Sequence, residues 1–124
     1  MVPYVHPTVL VVDDNEDTRI AVTTFFRAAG YGVETARDGR EGLSVMRQTH
    51  PCIVLLDLQM PDMSGRDFRH EQLADAELRD IPVVVFSASG DIEQAAERMA
   101  VSAIAQKPIQ LSRLMALVNE HCLK

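Results

Sequence analysis

Carboxylate side chains directly follow two of the most apolar segments of this chain. Asp13 and Asp14 come after the run Val-Leu-Val-Val at residues 9–12, and Asp57 comes after Ile-Val-Leu-Leu at residues 53–56. Carboxylate oxygens are suitable ligands for Mg²⁺, and a carboxylate can also act as a nucleophile that becomes an aspartyl phosphate. These residue types therefore point to phosphoryl transfer at a magnesium site, with Asp57 as the acceptor.

Two more residues with useful chemistry follow later apolar segments. Ser87 comes after residues 83–86, and Lys107 comes shortly after residues 103–105. An aspartyl phosphate requires a counter-charge, which an ammonium group supplies, and a hydrogen-bond donor, which a hydroxyl group supplies. The sequence thus predicts that Ser87 and Lys107 act on the phosphoryl group, while the aspartates hold the metal.

Three carboxylates in one pocket repel each other, and this raises their pKa values unless another charge compensates. A divalent cation is the natural compensating charge. Mg²⁺ typically takes one or two carboxylates and keeps several waters, so a coordination position remains for a phosphoryl oxygen. The ion would also neutralise charge during phosphoryl transfer. We therefore expect the acidic cluster and the acceptor role of Asp57 to occur together.

The elements that must position these residues can be predicted from hydrophobic patterns. The apolar segments do not alternate with polar residues, which is typical of strands covered on both faces of a parallel sheet, and helical patterns lie between them. The predicted strands are residues 9–12, 32–36, 53–56, 83–86 and 103–105. The predicted helices are residues 16–29, 39–49, 64–74, 91–100 and 110–121.

This regular alternation predicts an α/β fold, a flavodoxin-like, doubly wound, five-stranded parallel sheet with five helices. In the strand order 2-1-3-4-5 the first and third strands are neighbours. Such a sheet binds its ligand at the carboxyl ends of its strands. Asp13, Asp14 and Asp57 should then converge at one end of the sheet, with Ser87 and Lys107 beside them.

The same residues also have purely structural interpretations. Asp13 and Asp14 can cap the first helix, although Asn15 or Asp17 is an equally suitable cap. Asp57 can be a turn residue, and the later polar residues can be ordinary surface residues. The functional interpretation is favoured because all these residues fall at the same end of one predicted sheet.

Length and composition suit one soluble domain. The 124 residues are 47% hydrophobic, which favours a single domain over residues 1–124 with a core at about residues 7–122. The net charge of −6 disfavours nucleic acid and anionic membranes as partners. No apolar run approaches the roughly 20 residues of a membrane span, and no signal peptide is visible. We therefore expect a cytoplasmic protein.

The two cysteines do not suggest a disulfide framework. Cys52 begins an apolar run, which predicts a buried thiol, and Cys122 lies close to the C-terminus. Two such cysteines favour free thiols and a reducing compartment.

The polar residues at the ends of the predicted strands, in their order along the chain, resemble the receiver domain of two-component response regulators, of the chemotaxis-receiver type. The resemblance covers roughly residues 7–122, and the chain can be a stand-alone receiver or one excised from a longer protein. Its most specific part is the stretch Asp-x-x-Met-Pro-x-x-x-Gly at residues 57–65. The acidic pair at residues 13–14, Ser-Ala at residues 87–88 and Lys-Pro at residues 107–108 complete it.

The resemblance implies a role for each matching position. Asp57 would accept the phosphoryl group and ligate Mg²⁺, Asp14 would ligate the ion directly, and Asp13 would do so mainly through water. Gln59 would contribute its backbone carbonyl to the metal. Ser87 would donate a hydrogen bond to the phosphoryl group and Lys107 would pair with one of its oxygens. The family usually has a cis peptide bond before the proline that corresponds to Pro108.

The resemblance also implies partners and an output. The donor would be a phosphohistidine on a sensor histidine kinase or a histidine phosphotransfer protein, and the recipient of the signal would be a downstream protein. Phosphorylation would alter the face formed by the predicted helix 91–100, the fifth strand and the last helix. The chain would not be an enzyme, although it can assist its own phosphorylation and dephosphorylation. Ile104 stands where the family often has Tyr or Phe, so the usual aromatic relay is not expected.

Three other functions remain open at this stage. A small Mg²⁺-dependent phosphohydrolase would explain the acidic cluster, but such enzymes usually carry Asp-x-Asp, and here Asn15 stands at the second position. A flavodoxin-like FMN carrier would need a phosphate-binding loop after the first strand, and this loop is acidic. A degenerate receiver that acts as a constitutive interaction module is compatible with Ile104.

Overall fold

Five parallel strands form the centre of the protein. The computed structural model describes residues 7–57, 63, 65–87, 103–106 and 110–122, and only the backbone of residues 87 and 103–106. The predicted five-stranded sheet and its order are confirmed, because the strands follow the order β2-β1-β3-β4-β5. They are β1 (Thr8–Val12), β2 (Gly32–Ala36), β3 (Ile53–Asp57), β4 (Val83–Ser87) and β5 (Ala103–Gln106).

The central strands are buried on both faces, which explains their unbroken apolar sequences. In β1, Leu10 and Val12 belong to an apolar core on one face of the sheet, whereas Val9 and Val11 belong to a second core on the other face. All four side chains are fully buried. Since successive side chains of a strand point to opposite faces, a strand between two cores needs apolar residues at every position.

Helices cover both faces of the sheet. Among the described residues they are α1 (Glu16–Ala28), α2 (Gly39–Thr49), α3 (Gly65–Ala74) and α4 (Leu111–Cys122). The helices α1 and α4 contribute Phe26 and Leu114 to one core, while α2 and α3 contribute Met46 and Phe68 to the other. The predicted helix at residues 91–100 lies outside the described residues. None of the described helices combines the length and apolar character needed to cross a membrane.

Local signals fix both ends of α1. Asn15 caps its N-terminus, because its side-chain oxygen accepts a hydrogen bond from the backbone N–H of Thr18 at 3.0 Å. After the helix, Gly30 adopts a positive φ of 97°, a conformation that favours glycine, and its N–H donates to the carbonyl of Arg27 at 3.0 Å. The chain then turns directly into β2.

The helix α2 approaches the sheet closely through a glycine. A Cβ atom at Gly42 would lie 3.0 Å from a methyl carbon of Val12 and 3.1 Å from the ring of Phe68. Both distances are shorter than an ordinary van der Waals contact. Glycine at this position therefore lets α2 pack against β1 and α3 without a displacement of the backbone.

The prediction of two free thiols is wrong, because Cys52 and Cys122 form a disulfide with their Cα atoms 5.4 Å apart. The helix of each βα unit returns the chain to the end of the sheet where the strands begin. The last turn of α4 therefore lies beside the residue that precedes β3, although 70 residues separate the two cysteines in sequence. A reducing compartment was inferred from two free thiols, so the disulfide removes the basis for that inference.

Candidate functional site: an acidic cluster at the carboxyl ends of β1 and β3

Asp13 follows β1 and is held in place by its neighbours. Its backbone N–H donates to the carbonyl of Ala36 at 3.1 Å, which joins it to the end of β2. Its carboxylate oxygen Oδ1 accepts from the N–H of Asn15 at 2.8 Å, and its backbone carbonyl accepts from the guanidinium of Arg19 at 2.8 Å. The residue is fully buried, so its carboxylate has a fixed position and little access to bulk water.

Asp57 reaches the same end of the sheet from the neighbouring strand. It is the last residue of β3, and only 5% of its surface is exposed. The register between β1 and β3 pairs Val12 with Leu56, so the chain positions that follow, Asp13 and Asp57, also lie side by side. On its other side Asp57 pairs with Phe86 of β4.

The three aspartates form one cluster. Carboxylate oxygens of Asp13, Asp14 and Asp57 lie within 4.8 Å of one another. Asp14 is exposed, whereas the other two side chains are buried, so the cluster opens to solvent on the side of Asp14. Ionised carboxylates at this spacing repel each other strongly where water is excluded.

The donor atoms of this cluster fit a small divalent cation. All three side chains offer oxygen, the ligand type that Mg²⁺ takes, and a cation would offset their mutual repulsion. The solvent-facing side leaves space for water molecules, which Mg²⁺ usually keeps. The residues present are thus suited to hold the ion that the sequence predicted.

The structural interpretation of Asp13 and Asp14 as helix caps is wrong. Asn15 is the residue that caps α1, and Asp13 accepts a hydrogen bond from the backbone of that cap. The capping residue therefore helps to orient the acidic cluster, and the two aspartates are not needed to begin the helix.

The other predicted site residues are described in part or not at all. Ser87 ends β4 and pairs in register with Gln106 of β5, which brings its backbone to the same end of the sheet as Asp57. Its side chain is not among the described ones. Gln59, Lys107 and the peptide bond before Pro108 lie outside the described residues. The backbone of Ile104 pairs with Val85, and its side chain is not described.

The sequence did not reveal the contribution of Arg19. Its guanidinium Nη1 donates to the backbone carbonyl of Asp13 from the first turns of α1. A basic residue does stand six positions after the first aspartate, on the helix that follows the acidic loop, but this spacing alone does not predict a contact. A side chain to backbone contact of this kind leaves no pattern in hydrophobicity or in motif spacing.

Two groups away from the cluster have shifted pKa values. Burial raises the pKa of the Tyr31 hydroxyl, which donates a hydrogen bond to the side-chain oxygen of Asn119 in α4. Burial lowers the pKa of the Arg69 guanidinium in α3, which donates to the side-chain oxygen of Gln72 at 2.7 Å. Both groups join elements of the fold, and neither belongs to the acidic cluster.

Known proteins resemble this chain over nearly its full length. Residues 9–119 match the profile of the response regulator receiver domain. The polar-differentiation response regulator DivK of Brucella ovis is 32% identical over 117 residues, which cover 92% of this chain and 94% of that protein. The DivK protein of Brucella anthropi is 31% identical over the same shares of both chains.

Solved structures show the same architecture. The chemotaxis protein CheY4 of Vibrio cholerae has a TM-score of 0.85 at 26% identity, covering 94% of this chain and 98% of its own. A response regulator receiver protein of Pseudomonas putida has a TM-score of 0.85 at 29% identity with the same coverage. Neither a phosphohydrolase nor a degenerate module is favoured by these similarities. A profile that matches most of the chain and relatives above 30% identity show that this chain belongs to the response regulator receiver domain family of two-component signal transduction.

Proposed function

We propose that this chain is a phosphoacceptor receiver in which Asp57 takes a phosphoryl group from the phosphohistidine of a partner protein, with Mg²⁺ bound. The main support is the acidic cluster: carboxylate oxygens of Asp13, Asp14 and Asp57 lie within 4.8 Å of one another at the ends of two neighbouring strands. Receiver domains bind Mg²⁺ at an acidic pocket of this kind.

Four residues would hold the ion in this chain. Asp14 and Asp57 would offer carboxylate oxygens directly, Asp13 would act mainly through water, and Gln59 would offer its backbone carbonyl. The bound ion would supply positive charge that offsets the negative charge of the transferring phosphoryl group. The N–H of Asn15 orients the carboxylate of Asp13, and the guanidinium of Arg19 holds its backbone carbonyl, before any ion arrives.

Asp57 would be the nucleophile. One of its carboxylate oxygens attacks phosphorus, and a P–O bond forms as the P–N bond of the donor phosphohistidine breaks. The imidazole leaves with the electron pair of that bond and takes up a proton from water. The Ser87 hydroxyl would donate a hydrogen bond to the phosphoryl group, and the Lys107 ammonium would pair with one of its oxygens.

This chain would act together with a phosphodonor protein and a downstream protein in the cytoplasm. Receiver domains interact with histidine kinases or phosphotransfer proteins, and this chain would use one of these as its donor. A downstream protein would bind the face formed by residues 91–100, β5 and α4, and no nucleic acid or membrane would be bound directly. Residues 1–124 would form one receiver domain, with a core at about residues 7–122, in the cytoplasm.

Phosphorylation by a small phosphodonor tests the assignment of Asp57. With acetyl phosphate and Mg²⁺ we expect the intact protein to gain the mass of one phosphoryl group, and hydroxylamine to remove it because an acyl phosphate is labile. The gain should disappear in Asp57→Asn and after chelation of Mg²⁺. The exposed Asp80, outside the cluster, provides a matched control, and Asp80→Asn should be labelled like the wild type. Equal labelling of Asp57→Asn would contradict the assignment.

A further inference from the structure

A groove lies beside the open edge of the sheet, between α1 and β2. It encloses about 310 Å³ and is lined mainly by polar side chains, among them Arg19, Thr23 and Arg27 from α1 and Thr35 from β2. Among the described strands, β2 lies at one edge of the sheet, next to β1. A volume of this size lies at the lower end of the range for pockets that bind small molecules.

Three of the lining residues form a stripe along α1. Arg19, Thr23 and Arg27 follow each other at intervals of four residues, so they lie on one face of the helix. Each guanidinium is anchored by a backbone carbonyl: Arg19 donates to Asp13 at 2.8 Å, and Arg27 donates to Val33 at 3.3 Å. A guanidinium has five N–H donors, so each arginine keeps donors for a further acceptor.

Among the residues that the structure describes, the hydroxyl of Thr23 finds no hydrogen-bond partner. The residue is 91% buried, since 9% of its surface is exposed, and its oxygen Oγ1 is shielded from solvent. A buried hydroxyl without a partner is costly, and such groups are rare in folded proteins. Thr23 lines the groove between the two arginines, but its oxygen is shielded from solvent. A rotation of the side chain about its Cα–Cβ bond would bring the hydroxyl to an acceptor atom bound in the groove.

The charged residues that line the groove favour a negatively charged ligand. Two arginines and one acid, Glu16, line it, which leaves one net positive charge on a protein whose overall charge is −6. Within the described part of the chain the ion pairs join Arg37 with Glu41 and Arg47 with Asp75, and neither arginine of the groove takes part in them. Guanidinium forks match the oxygens of phosphate in geometry as well as in charge.

We propose that the groove between α1 and β2 binds the phosphate group of a small phosphate-bearing molecule. The guanidinium groups of Arg19 and Arg27 donate to the phosphate oxygens, and the hydroxyl of Thr23, after rotation about its Cα–Cβ bond, donates to one of them. The volume beyond the phosphate group accommodates the organic part of an ester. This site differs from the acidic cluster in the sign of its charge, and it needs no metal ion.

Titration of the metal-free protein tests the proposal. With EDTA present, ¹H–¹⁵N spectra are recorded during additions of inorganic phosphate, of adenosine monophosphate, and of sodium chloride at matched ionic strength. We expect saturable shifts at the amides of Thr23, Arg27 and Thr35 with a phosphate-bearing ligand, at millimolar concentration or below. A tighter response to the nucleotide than to inorganic phosphate identifies an ester as the ligand, and the reverse identifies the free ion.

Three variants separate binding from folding. Arg27→Gln should weaken binding about tenfold, and Thr23→Val should weaken it several-fold without loss of thermal stability, because valine keeps the shape of threonine and removes the unpartnered hydroxyl. The exposed Arg79 serves as the control, and Arg79→Gln should bind like the wild type. Shifts that chloride reproduces, or that are equal in Arg27→Gln and wild type, would overturn the site. Because the titration contains no Mg²⁺, neither result tests the proposal that Asp57 is phosphorylated.

Discussion

Single side chains set the electrostatic character of the acidic cluster. Asp13 is fully buried and has three hydrogen bonds to its surroundings, whereas Asp14, next to it in sequence, is exposed. The first is therefore positioned by the fold, and the second faces the solvent from which a cation arrives. This division agrees with the proposal that Asp14 ligates Mg²⁺ directly and that Asp13 acts mainly through water.

Replacement of Asp14 by asparagine should change stability in opposite directions with and without Mg²⁺. Without the ion we expect the melting temperature to rise by about 1–3 °C, because one of three neighbouring negative charges is lost. With Mg²⁺ the stabilisation by the ion should shrink, because a ligand that binds more weakly stabilises the folded state less at the same concentration. Thermal unfolding with EDTA and with a series of Mg²⁺ concentrations measures both effects.

The exposed Asp17 in the first turn of α1 is the matched control. Asp17→Asn should not raise the melting temperature, since an acidic residue near a helix N-terminus is stabilising. It should also keep the full response to Mg²⁺. A wild-type response to the ion in Asp14→Asn would remove Asp14 from the metal site.

Between elements of the fold, a buried polar network joins α3 to the segment that leads into β4. Gln72 of α3 is fully buried, and its amide nitrogen donates to the carbonyls of Leu78 and Ile81, each at 2.9 Å. Its amide oxygen accepts from the guanidinium of Arg69. One amide thus satisfies three groups, one in α3 and two in the segment before β4, and it fixes the path of the connection that positions β4 beside Asp57.

Substitution of Gln72 by leucine should destabilise the protein by about 2–3 kcal/mol, because backbone carbonyls and a guanidinium lose a partner in a region largely shielded from solvent. Urea unfolding followed by circular dichroism measures this change. The exposed Gln48 of α2 offers the same substitution on the surface, and Gln48→Leu should shift stability by less than about 0.5 kcal/mol. Similar losses in both variants would show that the network contributes little.

The elements themselves were largely predictable from the sequence. The strands begin and end within one residue of the predicted limits, and α2 coincides with its prediction at residues 39–49, because apolar periodicity and caps are local signals. The meeting of Asp13, Asp14 and Asp57 followed from the strand order. The bond from Arg19 to Asp13, the network of Gln72 and the disulfide were missed, because each depends on the exact positions of particular atoms in the folded chain, which periodicity and caps do not encode.

Across the protein, the disulfide links the end of the last helix to the start of the central strand β3. Cys52 precedes β3 and Cys122 is the last residue of α4, so the bond closes a loop with a sequence separation of 70 residues. A covalent link of this kind stabilises mainly because it restricts the unfolded chain. The helix α4 also packs Leu114 and Val118 into the core that it shares with α1, so the fold holds α4 by apolar contacts as well.

Reduction of the disulfide should therefore weaken the protein without unfolding it. We expect a loss of about 2–4 kcal/mol on addition of a reductant, with a steeper dependence on urea because the reduced chain unfolds to a more expanded state. Urea unfolding with and without the reductant gives both values, and mass spectrometry after thiol alkylation verifies the state of the cysteines. In Cys122→Ser the two unfolding curves should coincide, which controls for other effects of the reductant. Coincident curves for the wild type, with the bond shown to be reduced, would mean that the apolar contacts of α4 alone determine its stability.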